Sequence, residues 1–286
     1  MPFLCFVVKS LFGFGLYGSG GTPLIEQDSE IVFNKRVAAG AFFLGLRSPR
    51  IAAEAKPGQF VMLRVGRGMD PLLRRPFSIC GIREDDLVLI LYRVVGRGTT
   101  IMCDAREGES LSVLGPLGSG FEMPQKGEKP VLVAGGMGIA PLIFLASIME
   151  PGSFTFLAGF GSAEEIVATD EIGLSGLDPS ISTDDGSAGH RGLVTELLEN
   201  RLAGFNGNIS PVVFACGPLP MLKELAAVTL DRDVPCQVSL EASMACGLGA
   251  CQGCAISRSL EQASAYYHVC QDGPVFDARS LDWEAL

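Results

Sequence analysis

The chain has 286 residues, 48% of them hydrophobic and 19% charged, with a net charge of −10. This length holds two or three domains with a sizeable core, and the apolar surplus points to a buried interface with another chain. The acid excess, with no block of Lys or Arg, excludes nucleic acid as an expected partner, because phosphate neutralisation needs clustered cations.

Residues 1–25, "MPFLCFVVKSLFGFGLYGSGGTPLI", form an apolar run broken by Lys9 and several glycines. A spanning helix is not expected from it, and neither a positive n-region nor an A-x-A site marks a secretory signal. A loosely structured extension is the expectation. Nine cysteines, an odd count in a long core-rich chain, argue against a disulfide framework. They fit a metal site in a reducing compartment, here expected to be the cytoplasm.

Residues 26–125 are strand-like: "QFVMLRV", "DLVLILYRVV" and "SLSVLGPLG" are short β-rich runs between Pro, Gly and Asp turns. A small antiparallel barrel is expected. Within it, "RRPFSI" alternates Arg75, an aromatic and a hydroxyl along one strand, able to meet a phosphate, a ring and its edge. An ordinary strand with one inward Phe fits the same residues. "VVGRGTTIM" adds a glycine turn with hydroxyls at a helix start, suited to a second phosphate or to a plain Thr N-cap.

Residues 126–240 change rhythm. The strands "PVLVAGG", "FTFLAGF", "SISTDDG", "PVVFACG" and "CQVSL" alternate with helical "PLIFLASIM", "GLVTELLENRLAG" and "PLPMLKELAAVTLD". Such alternation predicts βαβ units and a parallel sheet. In "VLVAGGMGIAPLIFLA", Gly135, Gly136 and Gly138 would let a pyrophosphate reach a helix N-terminus, and Pro141 sits in the first turn, where its missing N–H costs nothing. A tight βα turn without a ligand is the competing account. Cys216 closes a strand at the edge where ligands sit in open α/β sheets, although a buried Cys is as often packing. Asp184 and Asp185 stand where a carboxylate would repel a 2′-phosphate. His190 and His268 are isolated and make no catalytic pair.

Residues 241–286 carry Cys246, Cys251 and Cys254 spaced C-x4-C-x2-C, with Cys270 further on. That spacing belongs to plant-type [2Fe–2S] sites. Gly247, Gly249 and Gly253 would let the loop take φ > 0 and aim N–H groups at sulfur. A zinc site with four cysteine ligands is the alternative, although zinc prefers two C-x2-C pairs and only one is present.

In order along residues 28–278, RPFS, LYR with GRGT, GPLGSGF, GGMGIAPL, CGPLPM, CGLGACQGC and CQDGPVF make the chain resemble the ferredoxin-reductase-like flavoproteins. Within them it is most similar to the electron-transfer subunits of type 1B dihydroorotate dehydrogenase. The resemblance implies an α+β multidomain fold: an antiparallel β-barrel FAD domain, an α/β parallel-sheet NAD domain and a small C-terminal iron–sulfur domain. It implies FAD, a 2Fe-2S cluster and NAD as cofactors. Arg75, Pro76, Phe77, Ser78, Leu91, Tyr92, Arg93, Gly98 and Thr99 would hold FAD. Gly135, Gly136, Gly138, Pro141, Cys216, Gly217 and Pro218 would hold NAD, and Cys246, Cys251, Cys254 and Cys270 the cluster. Ser78 and Cys216 are the catalytic candidates. Phe77 stands where the family often has an aliphatic residue.

The implied function is an oxidoreductase relay in pyrimidine biosynthesis. Electrons would pass from the FMN of a partner dihydroorotate dehydrogenase through the cluster and FAD to NAD+, in a heterotetramer with two copies of each chain. The chain is too short to add a substrate-oxidising (β/α)8 barrel of about 250 residues. The same architecture also serves a sulfhydrogenase or a ferredoxin:NADP oxidoreductase, and a zinc-stapled, non-enzymatic binding module is a more remote reading.

Overall fold

The computed structural model describes residues 24–66, 68, 70–167, 172, 176–205, 209–259 and 266–286; residues 1–23, most of the apolar extension, lie outside the described residues.

The chain first forms seven strands: β1 (Ile25–Ala38), β2 (Ala41–Arg47), β3 (Phe60–Arg64), β4 (Arg75–Ser78), β5 (Gly81–Arg83), β6 (Leu87–Arg93) and β7 (Ser110–Leu117). They pair antiparallel in the order β4-β3-β7-β1-β2-β6-β5. In β1, Ile25, Ser29 and Ile31 turn inward while Glu26, Asp28 and Glu30 face water, the two-residue period of a strand with one buried face. The sheet curves until β4 lies against β6, giving the expected barrel as a half-barrel with β4 and β5 as its edges. Leu44, Leu63 and Ile90 fill its core. Two short helices decorate it, α1 (Pro49–Glu54) and α2 (Arg97–Cys103).

The second sheet takes β8 (Glu128–Gly135), β9 (Thr155–Phe160), β10 (Ser180–Thr183), β11 (His190–Arg191), β12 (Ser210–Cys216) and β13 (Cys236–Ser239), all parallel. Helices α3 (Ile139–Ser147), α4 (Val194–Ala203) and α5 (Leu219–Asp231) cover it. Its central strands are apolar on both faces because both are covered. Leu132, Ala134 and Phe214 pack with α3 and with Phe43 and Phe121 of the half-barrel, whereas Val131, Val133 and Val213 pack with α4 and α5. Helix α3 is buried from Ile139 to Ala146, as its apolar circumference requires.

The cysteine-rich tail adds β14 (Ala255–Ser257), β15 (Tyr266–His268) and β16 (Val275–Asp277). Strands β14 and β15 form a separate hairpin. Strand β16 joins the second sheet, antiparallel to β13 at the end of the order β11-β10-β9-β8-β12-β13-β16. The tail is therefore stitched into the sheet beyond the boundary expected at residue 241.

Candidate functional site

After β13 the chain runs without regular structure to the cysteines. Gly247 and Gly249 have φ of +72° and +74°, as the spacing predicts. A Cβ on Gly247 would lie 2.8 Å from Met62 Cγ, and one on Gly249 2.1 Å from Gln271 Oε1. Gly253 does not have positive φ; Gln252, with φ of +58°, makes that turn instead.

The N–H groups of Leu248 and Cys251 donate to Cys246 Sγ at 3.3 and 3.4 Å, and that of Gly249 donates to Cys270 Sγ at 3.1 Å. The hairpin β14–β15 returns the chain so that Val269 N donates to Cys254 O at 3.1 Å, and Cys270 Sγ comes within 3.2 Å of Cys254 Sγ. The backbone N–H of Gly253, followed by groups of Cys246, pulls the exposed Cys251 thiol down to about 7. Burial pushes the Cys270 thiol up.

Cys254 and Cys270 thus bring their sulfurs together, while the N–H groups of Leu248 and Cys251 converge on Cys246 Sγ. Among the described residues, no three His, Cys, Asp or Glu side chains converge as single-ion ligands. One tetrahedral zinc would require four donors around one point, whereas a two-iron cluster takes two thiolates at each iron. The donor set fits the cluster.

Pro76, Phe77 and Ser78 on β4, Leu91, Tyr92 and Arg93 on β6, and Thr99 on α2 share the wall of a cavity of about 270 Å³. The Phe77 and Tyr92 rings meet edge-on at 5.9 Å, so the wall is aromatic and suits a flat ring system. Met137 and Ala140 close one side, and Leu240 just after β13, with Met244 and Pro274 from the tail, closes another.

Arg75 and Gly98 stand just off this wall. A Cβ on Gly98 would lie 2.6 Å from Arg75 Nε, so the missing side chain is the space the guanidinium occupies. The N-cap is Gly96 rather than a Thr, and Thr99 Oγ1 donates to Gly96 O at 2.9 Å while accepting from Val95 N at 2.9 Å. Its hydroxyl is committed to its own turn, and Arg75 places a cation beside that turn.

A larger cavity, about 680 Å³, opens at the carboxyl ends of the parallel strands, the crevice where open α/β sheets bind ligands. Gly135, Gly136, Gly138, Gly217 and Pro218 line it. The glycines are not equivalent. A Cβ on Gly138 would lie 2.2 Å from Cys216 O, and one on Gly135 2.5 Å from Met221 Sδ. Those two positions admit the neighbouring turn of the chain; only Gly136, with φ of +51° and open space around it, leaves room for a ligand.

Pro141 and Cys216 are not among the described residues that line either cavity. Pro141 is packed within α3, and Cys216 is 2% exposed, its thiol pushed up to about 12 by burial. Of the two aspartates, Asp184 lines the larger cavity, whereas Asp185 accepts from Ser187 N at 2.9 Å and from its hydroxyl.

Arg93, Val95, Met137 and Glu241 line both cavities, which therefore adjoin. Arg93 Nη2 donates to Glu165 Oε2 at 3.0 Å, crossing from the half-barrel to the turn after β9, and Ala39 N donates to Glu164 O beside it at 3.0 Å. Glu241, which the motifs do not mark, keeps surface to solvent, yet its walls desolvate the carboxyl and push it above the usual range. Its only sequence signal is a position two residues past the last parallel strand.

A family model for the iron–sulfur cluster binding domain of dihydroorotate dehydrogenase B matches residues 241–282. The dihydroorotate dehydrogenase B (NAD(+)) electron transfer subunit of Desulforamulus reducens is 36% identical over 260 residues, covering 90% of this chain and 98% of its own length. Its counterpart in a Geobacillus species is 39% identical over 258 residues, covering 88% and 97%. The solved structure of an NADH-dependent reduced ferredoxin-NADP oxidoreductase, described for flavin-based electron bifurcation, matches with a TM-score of 0.77 at 29% identity, covering 93% of this chain and 92% of that one.

Proposed function

Since the chain belongs to the family of dihydroorotate dehydrogenase B electron transfer subunits, we propose that it relays electrons from a partner's dihydroorotate oxidation to NAD+ in pyrimidine biosynthesis. The observation that carries this reading is the sequence of sites: the cysteine loop packs on Met62, its neighbour Met244 walls the smaller cavity, and that cavity adjoins the larger one at Arg93, Met137 and Glu241. When bound, FAD supplies the exchange between single electrons, which a cluster handles, and the hydride that nicotinamide requires.

The chain's own residues bind and orient. Phe77, Tyr92, Pro76, Leu91 and Ser78 would hold the flavin ring system, and Arg75 beside Gly98 and Thr99 would take the phosphates. Gly136 and the Gly217–Pro218 turn take the dinucleotide. Arg93 joins the two walls through Glu165. Cys216 contributes through its backbone, since Gly138 packs on its carbonyl.

Asp184 gives the larger cavity a charge that repels a 2′-phosphate. Asp184→Ser is expected to raise the NADPH to NADH ratio of kcat/KM about tenfold by removing that repulsion. An unchanged ratio would show that selection lies elsewhere.

The partner is an FMN-containing catalytic subunit, assembled as two copies of each chain. The described strands belong to the two large sheets and the hairpin, with no (β/α)8 barrel among them. Leu248, between two cluster cysteines, is 43% exposed, where an apolar side chain suits a covering protein surface. Cytoplasmic residence is part of this reading; no described helix is long and apolar enough to cross a membrane.

The test uses the isolated chain. It should reduce artificial acceptors with NADH and leave dihydroorotate untouched until the partner is added. Leu248→Glu should keep the first activity and lose association, because a charge would be buried unpaired. Dihydroorotate oxidation by the single chain would contradict the relay.

A further inference from the structure

Asn34 lies on β1, away from the walls of both cavities, and belongs to none of the motifs. Its carboxamide nevertheless joins three segments far apart in sequence. Oδ1 accepts the Tyr92 phenol at 3.0 Å, and Nδ2 donates to Met102 O at 2.8 Å and Ala105 O at 3.1 Å. Those carbonyls lie at and just beyond the C-terminal end of α2, where the last acceptors lack i+4 partners and Met102 O is met locally by Ala105 N at 3.1 Å. The orientation of the amide is therefore determined. Flipped, its oxygen would face two carbonyl oxygens.

Both of its partners reach the smaller cavity. Tyr92 places its ring in the wall against Phe77, and is 2% exposed. Helix α2 places Thr99 in the same wall and Gly98 under the Arg75 guanidinium. One side chain thus sets the ring-facing wall relative to the helix that carries the phosphate-facing turn. Among the described residues no backbone hydrogen bond joins β6 directly to α2, which follows it after a turn at residues 94–96.

We propose that Asn34 is a positioning residue for the flavin: it locks Tyr92 and α2 together so that the cavity wall and Arg75 meet one ligand at once. This rests on the reading that the smaller cavity takes the flavin ring and Arg75 its phosphates.

The test is reconstitution of the flavin-free full chain with FAD, followed by affinity and by visible circular dichroism of the bound flavin. Asn34→Ala should weaken FAD binding about tenfold and alter the dichroism. Asn34→Asp should weaken it further, because a carboxylate oxygen would face the Met102 and Ala105 carbonyls. Tyr92→Phe should lose part of the same affinity, and adding it to Asn34→Ala should cost less than the sum, as for groups acting through one another.

Unchanged affinity and dichroism in Asn34→Ala, with FAD lost in Arg75→Ala, would overturn the proposal and leave the flavin site in place. A lowered melting temperature with unchanged affinity would overturn it equally, reducing Asn34 to a structural residue. Full FAD affinity in Arg75→Ala would remove the site reading and the proposal with it. Where Asn34→Ala does not fold, Tyr92→Phe carries the test, and wild-type affinity there overturns the proposal.

Discussion

Replacing Cys270 with serine is expected to leave the purified chain without acid-labile sulfide. Cys270 is the one ligand brought from outside the loop, and its sulfur lies against Cys254 Sγ and the Gly249 N–H. Serine puts a hard, poorly ionised oxygen where an iron needs a thiolate, so one iron keeps only one protein ligand. Because site formation and local folding share the same free energy, the hairpin β14–β15 should loosen with it. Iron and sulfide should both fall to near zero. FAD should remain, since the wall residues assigned to it on β4, β6 and α2 lie outside the cysteine tail. Cys236→Ala is the control: Cys236 is equally buried but sits on β13, and its variant should keep the cluster. Full sulfide in Cys270→Ser, or zinc in its place, would refute the assignment of the tail.

Arg75→Ala should weaken FAD binding by about ten- to a hundredfold, the range for one charge-assisted bidentate contact to a phosphate. The geometry makes the expectation sharper than the RPFS motif alone. The guanidinium lies in the space left by Gly98, beside a turn whose Thr99 hydroxyl is committed to its own backbone. Nothing else among the residues assigned to FAD brings a positive charge to that turn; Arg93 is held by Glu165. Gly98→Ala offers an independent check, since its new Cβ would displace Arg75 and should cost affinity in the same direction. Flavin retained on dilution by both variants would move the phosphate site elsewhere.

The candidate cluster cysteines are legible without the fold because C-x4-C-x2-C is local chemistry: a short glycine-rich loop keeps sulfurs together whatever surrounds it. The parallel sheet was equally legible, since "PVLVAGG" and "PVVFACG" are apolar on both faces and only a doubly covered strand can afford that. Strands β1 and β2 carry little signal in the sequence; "IEQDSE" shows water its charges, and the inward Ile25, Ser29 and Ile31 are a thin pattern. The glycine-turn motif was found, but its assignment was divided by tertiary contact. Gly135 and Gly138 admit Met221 and the Cys216 carbonyl, leaving Gly136 for a ligand. Cys216 at a strand end suits chemistry and packing equally in the sequence, and its thiol lies buried in the core.

What the residues determine by themselves is therefore whatever depends on identity and near spacing: four thiols, a cation opening a β-strand, a strand–turn–helix rhythm. What only the tertiary structure decides is convergence. Glu241 between two cavities, Asp184 chosen over Asp185, and Asn34 joining Tyr92 to α2 across 58 to 71 residues leave no trace in any short window. Their meeting is set by sheet register and packing, which fix distances between residues that the chain itself leaves free.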